Sequence, residues 1–296
     1  MSIKVGVAAA SWGIGVPGQP GDIPWHRFLD ESAEAGYEWI EAGLLGYLPT
    51  DPEVANAELR KRGTGVVATT VMKGHLEESA DWPKIEAEVL KAGEYGAALG
   101  TRHLVLIDDF YTGTRARESG ANGSLDSDSW KRLIEGTHRV ADLAMEKFGL
   151  PIAFHGHTDT HVETEEQLEA FLADTDPERV SLCLDTGHHA YCGGDPVGFM
   201  RRHHDRVSYM HFKNIDTETR ERVEAEDTPL ETATEMGVWC ELADGGIDYM
   251  ELGRVLRVVG YDGWVVVEHD MRRPPPHVPL PVAKRARAYL REVGIG

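Results

Sequence analysis

Cysteine is scarce in this chain, and the little there is makes no pattern. Cys183, Cys192 and Cys240 are the three present. An odd number without repeated spacing is neither a disulfide framework nor a thiolate zinc site, and it suits a reducing compartment. Cationic residues are also short: 30 Lys and Arg stand against 50 Asp and Glu, for a net charge of −20. Binding nucleic acid needs clustered Lys and Arg for the phosphates, so a general nucleic-acid binder is excluded. A protein drawn to an anionic membrane surface is excluded for the same reason. No stretch approaches the roughly eighteen consecutive apolar residues of a membrane span. The opening MSIKVGVAAASWG has no long apolar core leading to a cleavage site, so a cytoplasmic protein is expected. No GxGxxG follows the first β-rich run, which weakens a dinucleotide-binding reading. No Gly-rich cradle at a helix start offers itself to a phosphate.

What the chain does have is repetition. Eight short runs rich in Val and Ile read as strands: 3–9, 37–43, 64–71, 102–108, 150–156, 179–185, 206–212 and 263–269. Helical periodicity separates them. Phe28, Leu29, Ala33 and Ala35 share one face, and Trp130, Leu133, Ile134, Val140 and Leu143 share another. Gly36, Gly100 and Gly149 stand where left-handed caps are wanted. A final helix is expected over PVAKRARAYLREVG, after the Pro274–Pro276 run. This alternation predicts an α/β chain, either a closed (β/α)8 TIM barrel or an open doubly wound sheet. Polar residues decide between them. Glu41, Asp108, His155, Asp185, His211 and Glu268 stand at strand ends, where barrel enzymes keep their chemistry. The expectation is one barrel over 1–296, with lid-like loops at about 109–128 and 214–246. The second loop carries a short helix from 228, and both would shield a substrate from water.

The polar strand ends suggest a metal. Asp185, His211 and Glu268 close successive strands and converge on the barrel axis, where they can share a divalent cation. Carboxylate with imidazole suits Mn²⁺ first, with Co²⁺, Mg²⁺ or Zn²⁺ as options. His155 is the fourth ligand assigned, with Glu163 and His157 as alternatives; Asp159 reads as a turn cap. His188 is placed to hydrogen-bond a substrate hydroxyl or shuttle a proton, with His189 a neighbour. Lys213 shares the strand face of His211, and a lysine beside a metal has a lowered proton affinity, which suits acid–base work. Glu163, if not a ligand, joins these two as an acid–base group. Trp12, Glu41, His157 and Asp108 are candidates for contacting substrate, Trp12 by its ring face or else as core. Such a site removes a proton beside a carbonyl and holds the enediolate by Lewis acidity. Isomerisation, epimerisation and dehydration all begin that way.

SWG (11–13), FLDESAEAGYEWIEAG (28–43), GYLPTDP (46–52), FHGHTDTHVET (154–164), LDTGHHAYCGGDP (184–196), HFKN (211–214) and GWVVVEHD (263–270) give the chain its likeness. It resembles the xylose-isomerase-like superfamily of metal-dependent sugar isomerases, epimerases and dehydratases, and within it the myo-inosose-2 dehydratases. In that superfamily Glu, Asp, His and Glu from the fifth to eighth strands typically hold the metal. The resemblance carries three of these to Asp185, His211 and Glu268. His155 departs, standing where a glutamate is usual; the inosose-dehydratase relatives share a His-rich segment followed by a glutamate like Glu163. HFKN departs where relatives commonly read HLKD, so Asn214 replaces an acid.

The resemblance implies a lyase that dehydrates a keto-inositol such as scyllo-inosose. Three alternatives stand beside it: a keto-sugar isomerase or epimerase, a C-glycoside-cleaving lyase with a small partner subunit, and a non-catalytic sugar-binding barrel. The expected partner is a small polyhydroxylated keto or sugar substrate. Barrels of this kind often pair, so a homo-oligomer is one option.

Overall fold

All eight runs are strands in the computed structural model, which describes residues 3–110 and 125–296. In chain order they are β1 (Lys4–Ala8), β2 (Trp39–Glu41), a third run in two pieces, β3 (Gly65–Val66) and β4 (Ala68–Val71), then β5 (His103–Leu106), β6 (Ile152–His155), β7 (Val180–Asp185) and β8 (Val207–Phe212). The short β9 (Asn214–Ile215) and β10 (Trp239–Cys240) precede the last barrel strand, β11 (Trp264–Val267). The main sheet is parallel and runs β3-β2-β1-β11-β8-β7-β6-β5-β4. Its two ends are one segment interrupted only at Val67, so the sheet returns on itself. The Val67 N–H donates to the Ile40 carbonyl at 2.9 Å, and its own carbonyl accepts from Arg102 at 2.8 Å. Gly43 bridges to Thr69 one step on. The result is a closed (β/α)8 barrel and not a doubly wound sheet.

The helices begin and end where local chemistry satisfies their free backbone groups. Asp51 accepts from the N–H groups of Glu53 and Val54 to start Pro52–Arg62, which Gly63 ends in the left-handed region. Asp126 does the same for Ser127–Phe148, which stops at Gly149. The last helix starts at Pro279, two residues earlier than expected, because a proline at the first helical position gives up no hydrogen bond. These helices pack their apolar stripes against the outside of the barrel in one large cluster, with Phe28, Val89, Leu133, Phe171, Phe199 and Leu256 fully covered.

The barrel interior is a smaller cluster, largely one inward residue from each strand: Ala8, Val67, Ala68, Val105, Ala153, Cys183, Tyr209 and Val266. Side chains alternate along a strand, so the residues two and four further on point into the same interior, nearer the mouth. From Ala153 that gives His155 and His157; from Cys183, Asp185; from Tyr209, His211 and Lys213; from Val266, Glu268 and Asp270.

Residues 214–246 form a folded excursion. β9 and β10 pair antiparallel, with helices Thr217–Ala225 and Leu230–Glu235 between them. Ile215, Val223, Ala233, Val238 and Trp239 make its own apolar cluster. The expected helix from 228 begins at Leu230. The helix before it was not expected, because TETRERVEA has one buried apolar residue, Val223, and so no stripe to read. Of the first proposed lid, residues 111–124 lie outside the described residues. No helix among the described residues is long and apolar enough to cross a membrane.

Candidate active site

A cavity of about 220 Å³ opens at the C-terminal ends of the strands. Apolar residues from the first two βα loops, among them Ile14, Val16, Leu44 and Tyr47, line one side, with Phe110 also on the wall; Glu41, His155, His157, His211, Lys213, Glu268 and Asp270 form the polar floor.

Three of these floor residues, His155, His211 and Glu268, converge with Asp185. His155 Nε2 lies 3.7 Å from Asp185 Oδ2, and His211 Nδ1 lies 3.6 Å from both Asp185 Oδ2 and Glu268 Oε2. The register explains the meeting: Asp185 pairs directly with His211, and Val266, two before Glu268, pairs with the same histidine. Asp185 Oδ2 and His211 Nδ1 are buried without any hydrogen-bond partner, which a protein interior rarely tolerates. The rest of each imidazole is committed. His211 Nε2–H donates to Glu41 Oε2 at 2.7 Å, and His155 Nδ1–H donates to the Gly156 carbonyl at 2.8 Å. Those two bonds leave His211 Nδ1 and His155 Nε2 with lone pairs aimed among two carboxylates, the usual way a protein prepares imidazole ligands. His155, Asp185 and His211 have ligand spacing, as do Glu41, His211 and Glu268. Two imidazole nitrogens and two carboxylate oxygens fit a divalent cation.

Glu41, expected to touch substrate, lines the cavity but has both oxygens engaged. Oε2 also accepts from Tyr209 Oη at 2.7 Å and Oε1 from Thr70 Oγ1 at 3.1 Å. Burial pushes its carboxyl upward, but His211 and these hydrogen bonds overcome that and hold it low. It is the anchor for His211.

Lys213 lies on the same side as His211 and is buried. Its Nζ is 2.8 Å from Asp270 Oδ2, 3.0 Å from Glu268 Oε2 and 3.2 Å from Asp185 Oδ2. Burial works against its charge, yet Asp185, Asp270 and Glu268 hold its proton affinity well above the ordinary lysine value. The three carboxylates around the ammonium set this direction; the lowering expected from sequence belongs to a lysine beside a bound cation. Lys213 Nζ also donates to His188 Nε2 at 3.0 Å, and His188 Nδ1–H donates to Thr158 Oγ1 at 3.0 Å. Burial keeps His188 neutral, far below the usual histidine range. His157 lies against it, ring centroids 3.6 Å apart and planes tilted by 38°, and burial pushes His157 down to about 4.

Three candidates stand elsewhere. Trp12 is fully buried: the chain turns after β1 into a short 3-10 helix, Ala9–Trp12, which seats the indole edge-on against Phe28 and gives its N–H to Glu31 Oε2 at 2.7 Å. It is core, not a ring face for a sugar. Glu163 accepts from the Asp159 N–H at 2.8 Å and lines a neighbouring cavity with Arg220 and Tyr191, apart from this floor. Asp108 is fully buried and bonds to Leu76 N–H and His161, outside the cavity lining. His189 is a neighbour only, bonded to Glu165 at 2.9 Å. Two residues that sequence reasoning missed are part of the site. Asp270 sits two past Glu268, a spacing that could have found it. Trp239, from the excursion, lies edge-on to His188 at 4.9 Å and 5.2 Å from Lys213 Nζ; no sequence signal marks it.

The comparisons agree with this architecture. A family model described as the xylose isomerase-like TIM barrel matches residues 29–293. The inosose dehydratase of Geobacillus kaustophilus (strain HTA426) is 30% identical over 293 residues, 97% of this chain and 93% of that protein. The rhizopine catabolism protein MocC of Rhizobium meliloti is 32% identical over 296 residues, 98% of this chain and 88% of that one. Among solved structures, the IolI protein with a bound zinc atom superposes with a TM-score of 0.72 at 17% identity, covering 98% of each chain. At that identity the likeness shows the fold alone.

Proposed function

This chain is an enzyme of the xylose isomerase-like TIM-barrel family, and we propose that it is a metal-dependent lyase that dehydrates an inosose or a similar polyhydroxylated cyclic ketone. The observation that carries the metal is the convergence of His155 Nε2, Asp185 Oδ2, His211 Nδ1 and Glu268 Oε2, in which Asp185 Oδ2 and His211 Nδ1 are buried without a hydrogen-bond partner and only the Lys213 ammonium, 3.2 Å from Asp185 Oδ2, stands beside the first. The relative named inosose dehydratase, matched over nearly the whole chain, supports the substrate class.

A divalent cation held by those four residues would supply Lewis-acid stabilisation for the charge that develops on the ketone oxygen. The chain's own residues manage the protons. Asp270, which lines the cavity 2.8 Å from Lys213 Nζ, accepts the hydrogen beside the carbonyl. The bond from the β-carbon to its hydroxyl then breaks, and the Lys213 ammonium, held in place by His188 Nε2 at 3.0 Å, gives that hydroxide a proton so that it leaves as water. The proton kept on Asp270 passes to Lys213, so the enzyme ends as it began. Trp239 and the apolar wall exclude bulk water from this exchange; the excursion over residues 214–246 acts as the lid that carries Trp239.

The test is turnover of scyllo-inosose by Mn²⁺-loaded protein in D₂O, followed by ultraviolet absorbance and NMR with an EDTA-treated control. Diketone absorbance that disappears with EDTA is expected. Deuterium incorporation without loss of water would instead make the protein an isomerase or epimerase. Full turnover after chelation would remove the metal from the mechanism.

A further inference from the structure

We propose that the wall of the mouth holds a second divalent-cation site, built by His75, Glu77, Asp108 and His161. The four come from three loops at the C-terminal ends of the strands. His75 and Glu77 follow β4, Asp108 follows β5, and His161 lies between β6 and the helix Glu165–Asp174. None lines the cavity described above. One ligand atom from each lies within 4.8 Å of all the others. His161 Nδ1 is 2.9 Å from Asp108 Oδ2 and 3.6 Å from Glu77 Oε1, and His75 Nδ1 is 4.0 Å from that same glutamate oxygen.

Hydrogen bonding within the cluster does not account for it. Glu77 is 6% exposed, yet its Oε2 has no hydrogen-bond partner, and His75 Nδ1 is a second buried atom without one. Two buried carboxylates this close repel each other, and the one short imidazole contact, to Asp108, leaves Glu77 poorly compensated. A cation resolves all of this together: it takes a lone pair from each orphan group and neutralises both carboxylates. Two imidazoles and two carboxylates, none of them lining the substrate cavity, make a four-ligand nitrogen and oxygen set that Zn²⁺ accepts. The ligands are also braced from behind. Asp108 Oδ1 accepts from the Leu76 N–H at 3.0 Å, and the Glu77 carbonyl accepts from Arg132 Nε at 2.8 Å. Asp109, next to Asp108, holds the Gly74 N–H at 2.9 Å, and Phe110 beside it packs its ring against His157 at 5.0 Å and lines the substrate cavity. The ion would tie these loops together and fix the Phe110 wall.

Metal content tests the proposal, with no need for substrate. The protein is stripped with EDTA and equilibrated with Zn²⁺ buffered by a competing chelator, and zinc per chain is counted by elemental analysis. Wild type should hold two, Asp185→Asn one, the double variant His75→Ala with Glu77→Gln one, and their combination none. A double variant with as much zinc as wild type overturns the second site. Loss of the first site is read separately, from Asp185→Asn. Should the double variant fail to fold by circular dichroism, the Asp185→Asn chain loaded with Co²⁺ decides. Intense visible bands of tetrahedral coordination are expected, and their absence overturns the proposal.

Discussion

Asn214 is fully buried, and its side chain bonds only to backbone. The amide nitrogen donates to the carbonyls of Leu242 at 2.9 Å and Ile247 at 3.4 Å, while the oxygen accepts from the N–H groups of Ile215 at 2.9 Å and Ile247 at 3.0 Å. A carboxylate could keep the two acceptor bonds and neither donor bond. Asn214→Asp should therefore cost roughly 2–4 kcal/mol, from two unpaired carbonyls and a buried charge; urea unfolding with an unchanged midpoint would refute this. His103, at the opposite end of the barrel, packs against Tyr209 and Trp264. Burial pushes it from 6.5 down to about 4. The unfolded chain takes up this proton as pH falls through 6.5, and the folded chain waits until about 4. Stability should therefore drop across that window by up to about 3 kcal/mol and level off below it. His103→Phe should flatten that part of the profile in denaturation series at several pH values; an equal slope in both proteins would show that other groups set it. At this scale the strand ends pointed to residues that meet at the cavity floor, as with His155, Asp185, His211 and Glu268, but not at Asp108, which bonds to Leu76 N–H and His161 outside the lining. The sequence misled at Trp12, because the turn that tucks the indole inward leaves no periodic signal, and at Glu163, whose path away from the floor depends on the turn around Asp159.

Between His161 and the helix Glu165–Asp174, Thr164 forms a reciprocal cap with Gln167: its side chain accepts from the Gln167 N–H, and the Gln167 side chain accepts from the Glu163 and Thr164 N–H groups. Thr164→Ala should cost about 1 kcal/mol of stability by chemical denaturation and leave turnover within a factor of about two, since the helix stands behind the site. A large loss of turnover at unchanged stability would mean that this helix start positions a reacting group. Most barrel strands were legible because apolar runs of four to six residues, rich in Val and Ile, outlast local ambiguity. β9 and β10 are two residues each and carry no period, so the excursion that brings Trp239 over His188 reads from sequence as a loop.

The whole molecule carries a net charge of −20, so its surface repels itself in dilute buffer. Raising NaCl from about 10 to 200 mM should screen that repulsion and raise Tm by a few degrees. A falling Tm would show that surface ion pairs such as Arg285–Glu241 and Arg202–Glu169 outweigh it. Closure of the barrel was predictable only as a class, from polar residues at the strand ends; how it closes was not. The sheet is joined through Val67, between a two-residue strand and a four-residue one, with β2 only three residues long beside them. This is the thinnest stretch of the wall, and the strands beside it carry Glu41 and Thr70. Glu41 holds the His211 imidazole, and Thr70 holds Glu41. Any loosening of this seam would reach the proposed metal ligand directly: the imidazole would lose the partner that fixes which of its nitrogens carries the proton, and the proposed ligand set would come apart from the side of the barrel where the strands are shortest.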